Sequence, residues 1–376
     1  MRVFILSDPN CVHTKRWVSS LSKHDIEIFL FGLNKFDSSF YSQYSNISVY
    51  AIDMISNLNN RVANGTFEKL KYLKMLKILK RKIKEFQPDI LHAHYATSYG
   101  LLGALMNFHP YIISVWGSDV YDFPKVSFIH RCILKYNLKK ADKILSTSHI
   151  MAKETHKYTD KPIEITPFGV DISLFKKKNI SRIDNKIVIG NVKTLSPKYG
   201  IDILIKSFKI VLDKNPELDL VLNIIGEGEE KENLINLCES LNISGKVSFL
   251  GKIENKLLPD YYNSFLVSVS VSVSDSESFG VVAVESMACE CPVVVSDADG
   301  FTEVVLNNET GFIVPKKDVE ATSEAIQKFI DDNTLRDTMG KKGRERVEKL
   351  YNWEYNVNQM IDIYHQIITR KYLIHY

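Results

Sequence analysis

Short apolar runs alternate with segments of helical period along almost the whole chain. VFILS (3–7) precedes a helical stretch near 13–23 and then EIFLFG (27–32). DILHAH (89–94), YIISVWG (111–117), KILSTS (143–148) and IEITPFG (163–169) continue the series, with a helix-period segment at 97–107. The same rhythm restarts with KIVIGN (186–191), LDLVLNIIG (218–226), VSFLG (247–251), LVSVSVS (266–272) and PVVVSD (292–297), separated by helices at 200–214, 229–241, 256–264 and 280–289. Strands alternating with helices in this way predict parallel sheets joined by right-handed crossovers. Two such series predict an α/β protein of two Rossmann-like, doubly wound domains, 1–172 and 186–352. The irregular, lysine-rich 173–185 reads as a linker, and a closing helix within 353–376 is expected to pack back on the first domain. Ligands of open parallel sheets bind at the carboxyl ends of the strands. Two domains facing across a cleft would then present two such edges to a pair of substrates.

Length agrees with this division, since 376 residues correspond to two domains at about 150 residues each. Hydrophobic residues at 45% and charged residues at 25% exclude a disordered or fibrous chain. No run reaches the ~18 apolar residues of a membrane span, and the first apolar run is too short for a signal peptide. Five cysteines without a CxxC pair argue against a disulfide framework. The expected location is the cytoplasm. The net charge of +3 conceals an asymmetry: residues 1–175 hold 23 Lys and Arg against 15 Asp and Glu, whereas 176–376 hold 25 against 30. A basic half suits something anionic. No nucleic-acid-binding pattern accompanies it, so a nucleotide or an anionic lipid surface is the expected partner, not nucleic acid.

The densest chemistry lies in SDSESFGVVAVESMAC (274–289). Glu277 and Glu285 flank the start of a helix for which Ser278 is the expected N-cap. The amides of Phe279, Gly280, Val281 and Val282 would then face an anion at the positive helix end. Glu277 would lie near a reacting sugar and Glu285 near a diol such as a ribose.

The stretch SESFGVVAVESMACECPVVVSDADGFTEVV resembles the nucleotide-sugar site of the family-four retaining glycosyltransferases, the glycosyltransferase group 1 family of GT-B fold. IGNVKTLSPKYGIDILIKSF (189–208), IIGEGEEKENL (224–234) and VSFLGKI (247–253) match in order and spacing, and DILHAH, WGSD (116–119), ADKILSTS (141–148) and ITPFGVDISLF (165–175) match more weakly. The resemblance implies that Lys193 and Lys198 grip the donor diphosphate, with Lys193 standing where the family often has Arg. It also implies Glu277 at the donor sugar, Glu285 on the ribose, and Gly190 and Gly226 in the donor-binding loops. Cations that stabilise the departing diphosphate remove the need for a metal or other cofactor.

The first half departs from the family. Its first strand-to-helix loop is Asp8-Pro-Asn-Cys-Val-His-Thr instead of glycine-rich, with Asn10 at its centre, and Trp116-Gly117 stands where a His-Gly pair is common. No catalytic His is assigned there. His94, Trp116, Asp119 and Asn10 are the expected lining of the sugar or acceptor cleft. Asp297-Ala-Asp299 spells a metal-binding DxD but falls in the donor loop, so no metal is assigned to it. His92-Ala-His94 is assigned side chains on opposite faces of its strand, which argues against a shared metal, and Cys289-Glu-Cys291 has no companions for zinc.

Residues 69–84 hold eight Lys and Arg and no acid. At 100° per residue, Tyr72, Met75, Leu76, Leu79, Ile83 and Phe86 share one arc, and Lys71, Lys74, Lys77, Arg81 and Lys84 lie away from it. This helix is expected to pack on the core and to touch anionic lipid peripherally, at the inner face of the plasma membrane. The expected activity is transfer, with retention, of a hexosyl-type sugar from a UDP- or GDP-linked donor to a glycan or lipid-linked glycan, as in bacterial surface polysaccharide or glycoconjugate synthesis. A nucleotide-sugar 2-epimerase of the same fold and a catalytically silent donor-binding subunit are the alternatives.

Overall fold

A computed structural model describes residues 1–52, 65–178, 186–275 and 277–374, with the side chains of 65–74 and 371–374 left undescribed. The chain divides into two compact units, residues 1–166 with 357–376, and residues 167–356.

The first unit contains β1 (Arg2–Leu6), α1 (Val12–Leu21), β2 (Glu27–Gly32), β3 (Ile47–Ala51), α2 (Gly65–Phe86), β4 (Ile90–His94), α3 (Ser98–Met106), β5 (Tyr111–Val115), α4 (Ser118–Tyr121), α5 (Phe123–Val126), α6 (Phe128–Lys140), β6 (Lys143–Ser146), α7 (His149–Thr155) and β7 (Ile163–Ile165). Its sheet runs β3-β2-β1-β4-β5-β6-β7, parallel throughout. The strand order reverses between β1 and β4, which opens a crevice at their carboxyl ends. Met75, Leu79, Ile83 and Phe86 of α2, Leu102 of α3 and Leu134 and Leu138 of α6 share one core with Phe4, Leu6, Leu91 and Ile113 of the sheet. The apolar arc read for the basic helix faces this core, while Lys77, Lys80, Arg81 and Lys84 are exposed. Lys71, Tyr72 and Lys74 lie outside the described side chains.

The second unit contains β8 (Ile187–Val192), α8 (Ile201–Lys214), β9 (Leu220–Ile225), α9 (Lys231–Ser240), β10 (Val247–Gly251), α10 (Leu258–Ser264), β11 (Phe265–Ser270), α11 (Val281–Ala288), β12 (Val293–Ser296), α12 (Asp299–Val304), β13 (Gly311–Val314), α13 (Val319–Asp331) and α14 (Asn333–Leu350). Its sheet order, β10-β9-β8-β11-β12-β13, is again parallel, with the reversal between β8 and β11. The last helix, α15 (Trp353–Ile374), begins in the second unit and continues in the first. There the Tyr364 hydroxyl lies 2.7 Å from His92 Nδ1.

Two sequence expectations are corrected. Residues 173–178 are not a linker: Phe175 is buried, and the Arg344 guanidinium donates to the Ile172 and Phe175 carbonyls, fastening this segment to α14. Residues 179–185 lie outside the described residues. His92 and His94 share one face of β4, their ring centroids 4.7 Å apart, because alternate strand residues point the same way.

Candidate active site

The second unit's switch point assembles most of the predicted donor residues. Lys193 follows β8 and Glu277 lies in the loop after β11, so both sit where the crevice opens. The Lys193 ammonium forms an ion pair with the Glu277 carboxylate, the side chains being 13% and 10% exposed. Glu277 also accepts the Gly280 N–H at 3.2 Å and lies 3.4 Å from the Ser272 hydroxyl, and its carbonyl accepts the Gly300 N–H at 2.8 Å. A Cβ on Gly300 would fall 2.4 Å from that carbonyl oxygen, so only glycine admits this close approach of α12 to the loop.

Tyr199 organises the cations. Lys193 Nζ lies 4.5 Å from its ring centroid and Lys198 Nζ 4.9 Å, and Phe301 adds a second ring 5.9 Å from Lys193 Nζ. Such rings attract ammonium groups through their negative faces. Lys198 is exposed, and its carbonyl accepts the Val273 N–H at 2.9 Å, tying the 197–199 turn to the loop after β11. Sequence reasoning missed Tyr199 and Phe301, although Tyr199 sits inside a quoted matching segment beside Lys198.

The predicted cap is corrected. Gly280, not Ser278, is the N-cap of α11, at φ +79°, in the left-handed region that glycine tolerates. The Glu277 carboxylate, three residues before, takes the Gly280 N–H that a serine cap was expected to organise. Phe279 is in the core, its ring 5.4 Å from Tyr351 and 6.1 Å from Phe168. Val281 is the first residue of α11, whose leading N–H groups have no partner within the helix.

Glu285 is 5% exposed and held on both oxygens, by Asn255 Nδ2 at 2.8 Å and the Tyr262 hydroxyl at 3.1 Å. Burial, reinforced by the adjacent carboxylate, pushes the Tyr262 phenol well above its ordinary pKa, so it stays a donor. Asn255 and Tyr262 were not foreseen.

Two glycines act differently from the expectation. Gly190 is a packing residue: a Cβ there would lie 2.0 Å from the Phe265 ring. Gly226, at φ +147°, leaves no room for a side chain, since an added Cβ would lie 1.9 Å from the Lys193 carbonyl oxygen. With Leu195 donating to the Glu227 carbonyl at 3.0 Å, this glycine loop seats the backbone that carries Lys193.

The first-unit candidates gather at the ends of β1, β4 and β5, but their polar groups are largely engaged. Asp119, 1% exposed, accepts the N–H groups of Ala96 at 2.9 Å, Gly117 at 2.8 Å and Trp116 at 3.1 Å. Burial raises its pKa, and its role is to cap this loop, which corrects its assignment to a sugar hydroxyl. His94 is 2% exposed, with Nδ1 3.1 Å from the Ser7 hydroxyl and its ring 4.4 Å from Trp116. Burial, with His92 and His13 nearby, holds His94 well below the usual imidazole range, and it is a packed neutral residue, not a cleft ligand. Trp116 is 6% exposed. Asn10 is exposed and braces its own loop, donating to Asp8 Oδ1 and the Lys35 carbonyl. Beside these residues lies a concavity of about 360 Å³ lined by Asp8, Cys11, Asn34, Tyr95, Ser98 and Tyr99 among nine residues, none of them basic.

Asp297 of the DxD sequence accepts the Lys316 N–H at 2.9 Å and lies 3.8 Å from its ammonium, which also pairs with Asp275 at 2.6 Å. Among the described residues, no helix is long and apolar enough to cross a membrane.

Comparison with known proteins places the chain in a family. The family described as "Glycosyl transferases group 1" matches residues 174–346, and "Glycosyl transferase 4-like" matches residues 2–148. An uncharacterized glycosyltransferase of Methanocaldococcus jannaschii is 27% identical over 362 residues, 95% of this chain and 94% of that protein. The N-acetyl-alpha-D-glucosaminyl L-malate synthase of Bacillus anthracis is 26% identical over 304 residues, 74% of this chain and 75% of that protein. Anabaena HepE, crystallised with UDP and glucose, is similar with a TM-score of 0.77 at 18% identity, over 97% of this chain and 100% of that chain. With both units matched and two parallel sheets of this order, the chain belongs to the group 1 glycosyltransferases and has the GT-B fold.

Proposed function

We propose that this glycosyltransferase moves a hexosyl-type sugar, with retention and without a metal, from a UDP- or GDP-linked donor to a glycan or lipid-linked glycan. The observation that carries this reading is the grouping of Lys193 and Lys198 on the Tyr199 ring, with Glu277 paired to Lys193, at the β8–β11 switch point. Breaking the sugar–diphosphate bond leaves negative charge on the diphosphate, and two ammonium groups beside the start of α11 can receive it. In this reading Lys193 exchanges its Glu277 partner for phosphate oxygen as donor binds, which releases the carboxylate to accept from sugar hydroxyls. Glu285 holds the ribose, with Asn255 moving aside from one of its oxygens. The acceptor oxygen bonds the anomeric carbon on the face the diphosphate leaves, and its proton passes to the departing phosphate oxygen.

The acceptor group is assigned to the first-unit concavity. Its hydroxyls, amide and single acid suit neutral sugar hydroxyls better than a phosphate or carboxylate. The malate acceptor implied by the Bacillus relative's name is therefore a poor fit. Bacterial surface polysaccharide or glycoconjugate synthesis, at the cytoplasmic side of the membrane, is the setting that suits such an acceptor. The exposed cations of α2 would favour an anionic surface there.

The test is steady-state kinetics in EDTA, with product anomers read by NMR. Activity should persist in EDTA and the anomeric configuration should be kept. Lys198→Ala should lower kcat by ~10²–10³-fold with a smaller change in donor KM, because its contact strengthens as charge develops. Glu285→Gln should chiefly raise donor KM. Conversion of donor without acceptor would point to an epimerase, and tight donor binding without turnover to a silent subunit. Activity restored only by Mn²⁺ would refute the metal-free reading.

A further inference from the structure

We infer that the elbow between α5 and α6 is a membrane-docking wedge for an anionic lipid surface, separate from the basic helix α2 and independent of the transfer reading. Phe128, Val126 and Ile129 are 75%, 67% and 67% exposed, the three most exposed large apolar side chains among the described residues. Single exposed apolar residues need no explanation, but three within four consecutive positions form a patch. Ser127 caps α6 by accepting the His130 N–H, and this fixes the elbow that presents Val126 and Phe128 on either side of it.

The helix behind the wedge continues the same chemistry. At 100° per residue, Phe128, Cys132 and Tyr136 form one ridge, flanked by Arg131, Lys135 and Lys139, while Leu134, Asn137 and Leu138 turn to the core. Tyr136 is 39% exposed, and Lys125, Arg131, Lys135 and Lys139 are exposed. The run 123–141 contains no acid. Apolar tips for the acyl boundary, an aromatic at headgroup depth and a basic surround for anionic headgroups are the components of an interfacial anchor. α3 lies between α2 and α6 against the same core, so the exposed cations of α2 belong to the same helical layer.

Charge selects the occupant. A two-fold contact between copies would place each basic surround against its equivalent, and like charges oppose that pairing. An anionic bilayer complements it.

The experiment is vesicle co-sedimentation of the whole chain, with phosphatidylcholine alone or with about one-third phosphatidylglycerol. The parent should bind the anionic vesicles and release in high salt. Replacing Val126, Phe128 and Ile129 together by Ser should lower partitioning at least about tenfold. Replacing Arg131, Lys135 and Lys139 by Gln should lower it about 100-fold, the scale for losing three headgroup contacts. Both sets are on the surface and should leave the thermal midpoint nearly unchanged. Phe128→Trp should show a blue-shifted emission on binding. Failure of the parent to bind anionic vesicles, unchanged binding by the serine variant, or an unshifted Trp would overturn the proposal. So would a parent dimer that the serine variant converts to monomer. Changing Lys77, Lys80, Arg81 and Lys84 to Gln supports the wedge if residual binding still depends on Phe128, and opposes it if binding vanishes there while the serine variant binds normally.

Discussion

Lys193 and Glu277 provide the most direct test of how the proposed donor site is held before substrate arrives. Each is largely buried, at 13% and 10% side-chain exposure, so removing one partner strands the other's charge. The cost of stranding a buried partner is about 3 kcal/mol or more. Lys193→Met leaves Glu277 with the Gly280 N–H and the Ser272 hydroxyl but no cation. Glu277→Gln leaves the ammonium beside a neutral amide and the Tyr199 and Phe301 rings, without its carboxylate partner. If each single change costs about 3 kcal/mol, the double change should cost much less than their sum, because it strands no charge. The expected coupling is about 2 kcal/mol, within the range for residues in direct contact. Hydrogen exchange of β8 and β11 amides reads this for the second unit alone, which avoids assuming that both units unfold together. Effects that add within about 0.5 kcal/mol would refute the paired site. Lys193→Met should also bind donor more weakly than the parent, since the proposed reading gives the same ammonium to the diphosphate. Undiminished donor binding would separate the ion pair from the function assigned to it.

Two further perturbations test the supporting structure. Gly226→Ala places a Cβ 1.9 Å from the Lys193 carbonyl at φ +147°; it should destabilise by ~2–4 kcal/mol and lower kcat, and an unchanged thermal midpoint would contradict the close approach. Burial pushes His92 down to about 3 and His94 well below its ordinary 6.5, so between pH 6.5 and about 3 the unfolded chain binds more protons than the folded one. Stability should therefore fall as pH drops below 6.5, by about 1.4 kcal/mol per pH unit for each histidine at the steepest part. Replacing His92 by Gln should flatten that slope in denaturation at pH 6.5 to 4.5, and an unaltered slope would assign the acid sensitivity elsewhere.

The fold was legible because its signal is long and repeated. Runs such as VFIL and PVVVS alternate with helix-period segments often enough that no single misreading changes the class, whereas the strand orders that set the two switch points emerge only in the folded structure. The Glu277–Glu285 segment was legible for a related reason, since a loop, a helix start and two acids occupy one stretch. The details that failed depend on partners far away in sequence. Ser278 has the right chemistry for a cap, but the backbone takes a left-handed turn two residues later at Gly280. Gly190 looks like a loop glycine until the Phe265 ring occupies the space beside it. Asp119 carries the charge expected of a sugar ligand, yet three backbone amides, one from Ala96, engage both of its oxygens.

The same distinction explains why Tyr199 escaped notice while Lys198 did not. A lysine is recognised by its charge, whereas a tyrosine between a lysine and a glycine reads as ordinary turn composition. Its importance comes from where the 197–199 turn is fastened, by the Lys198 carbonyl to the Val273 N–H. That bond joins the loop after β8 to the loop after β11, the two loops that flank the strand-order reversal. Lys198 is thus anchored through its backbone while its ammonium stays exposed. Lys193 has the opposite arrangement, with its ammonium committed to Glu277 and its carbonyl pressed by the Gly226 loop. In the proposed reading one cation is available to an arriving diphosphate and the other must first be exchanged. An encounter that begins at Lys198 and draws Lys193 from Glu277 follows from that order of accessibility. Neutralising Lys198 should then slow donor association more than dissociation, whereas neutralising Lys193 should act mainly on dissociation. Stopped-flow binding of the unreacted donor distinguishes the two, and equal effects of both changes on association would remove the ordering.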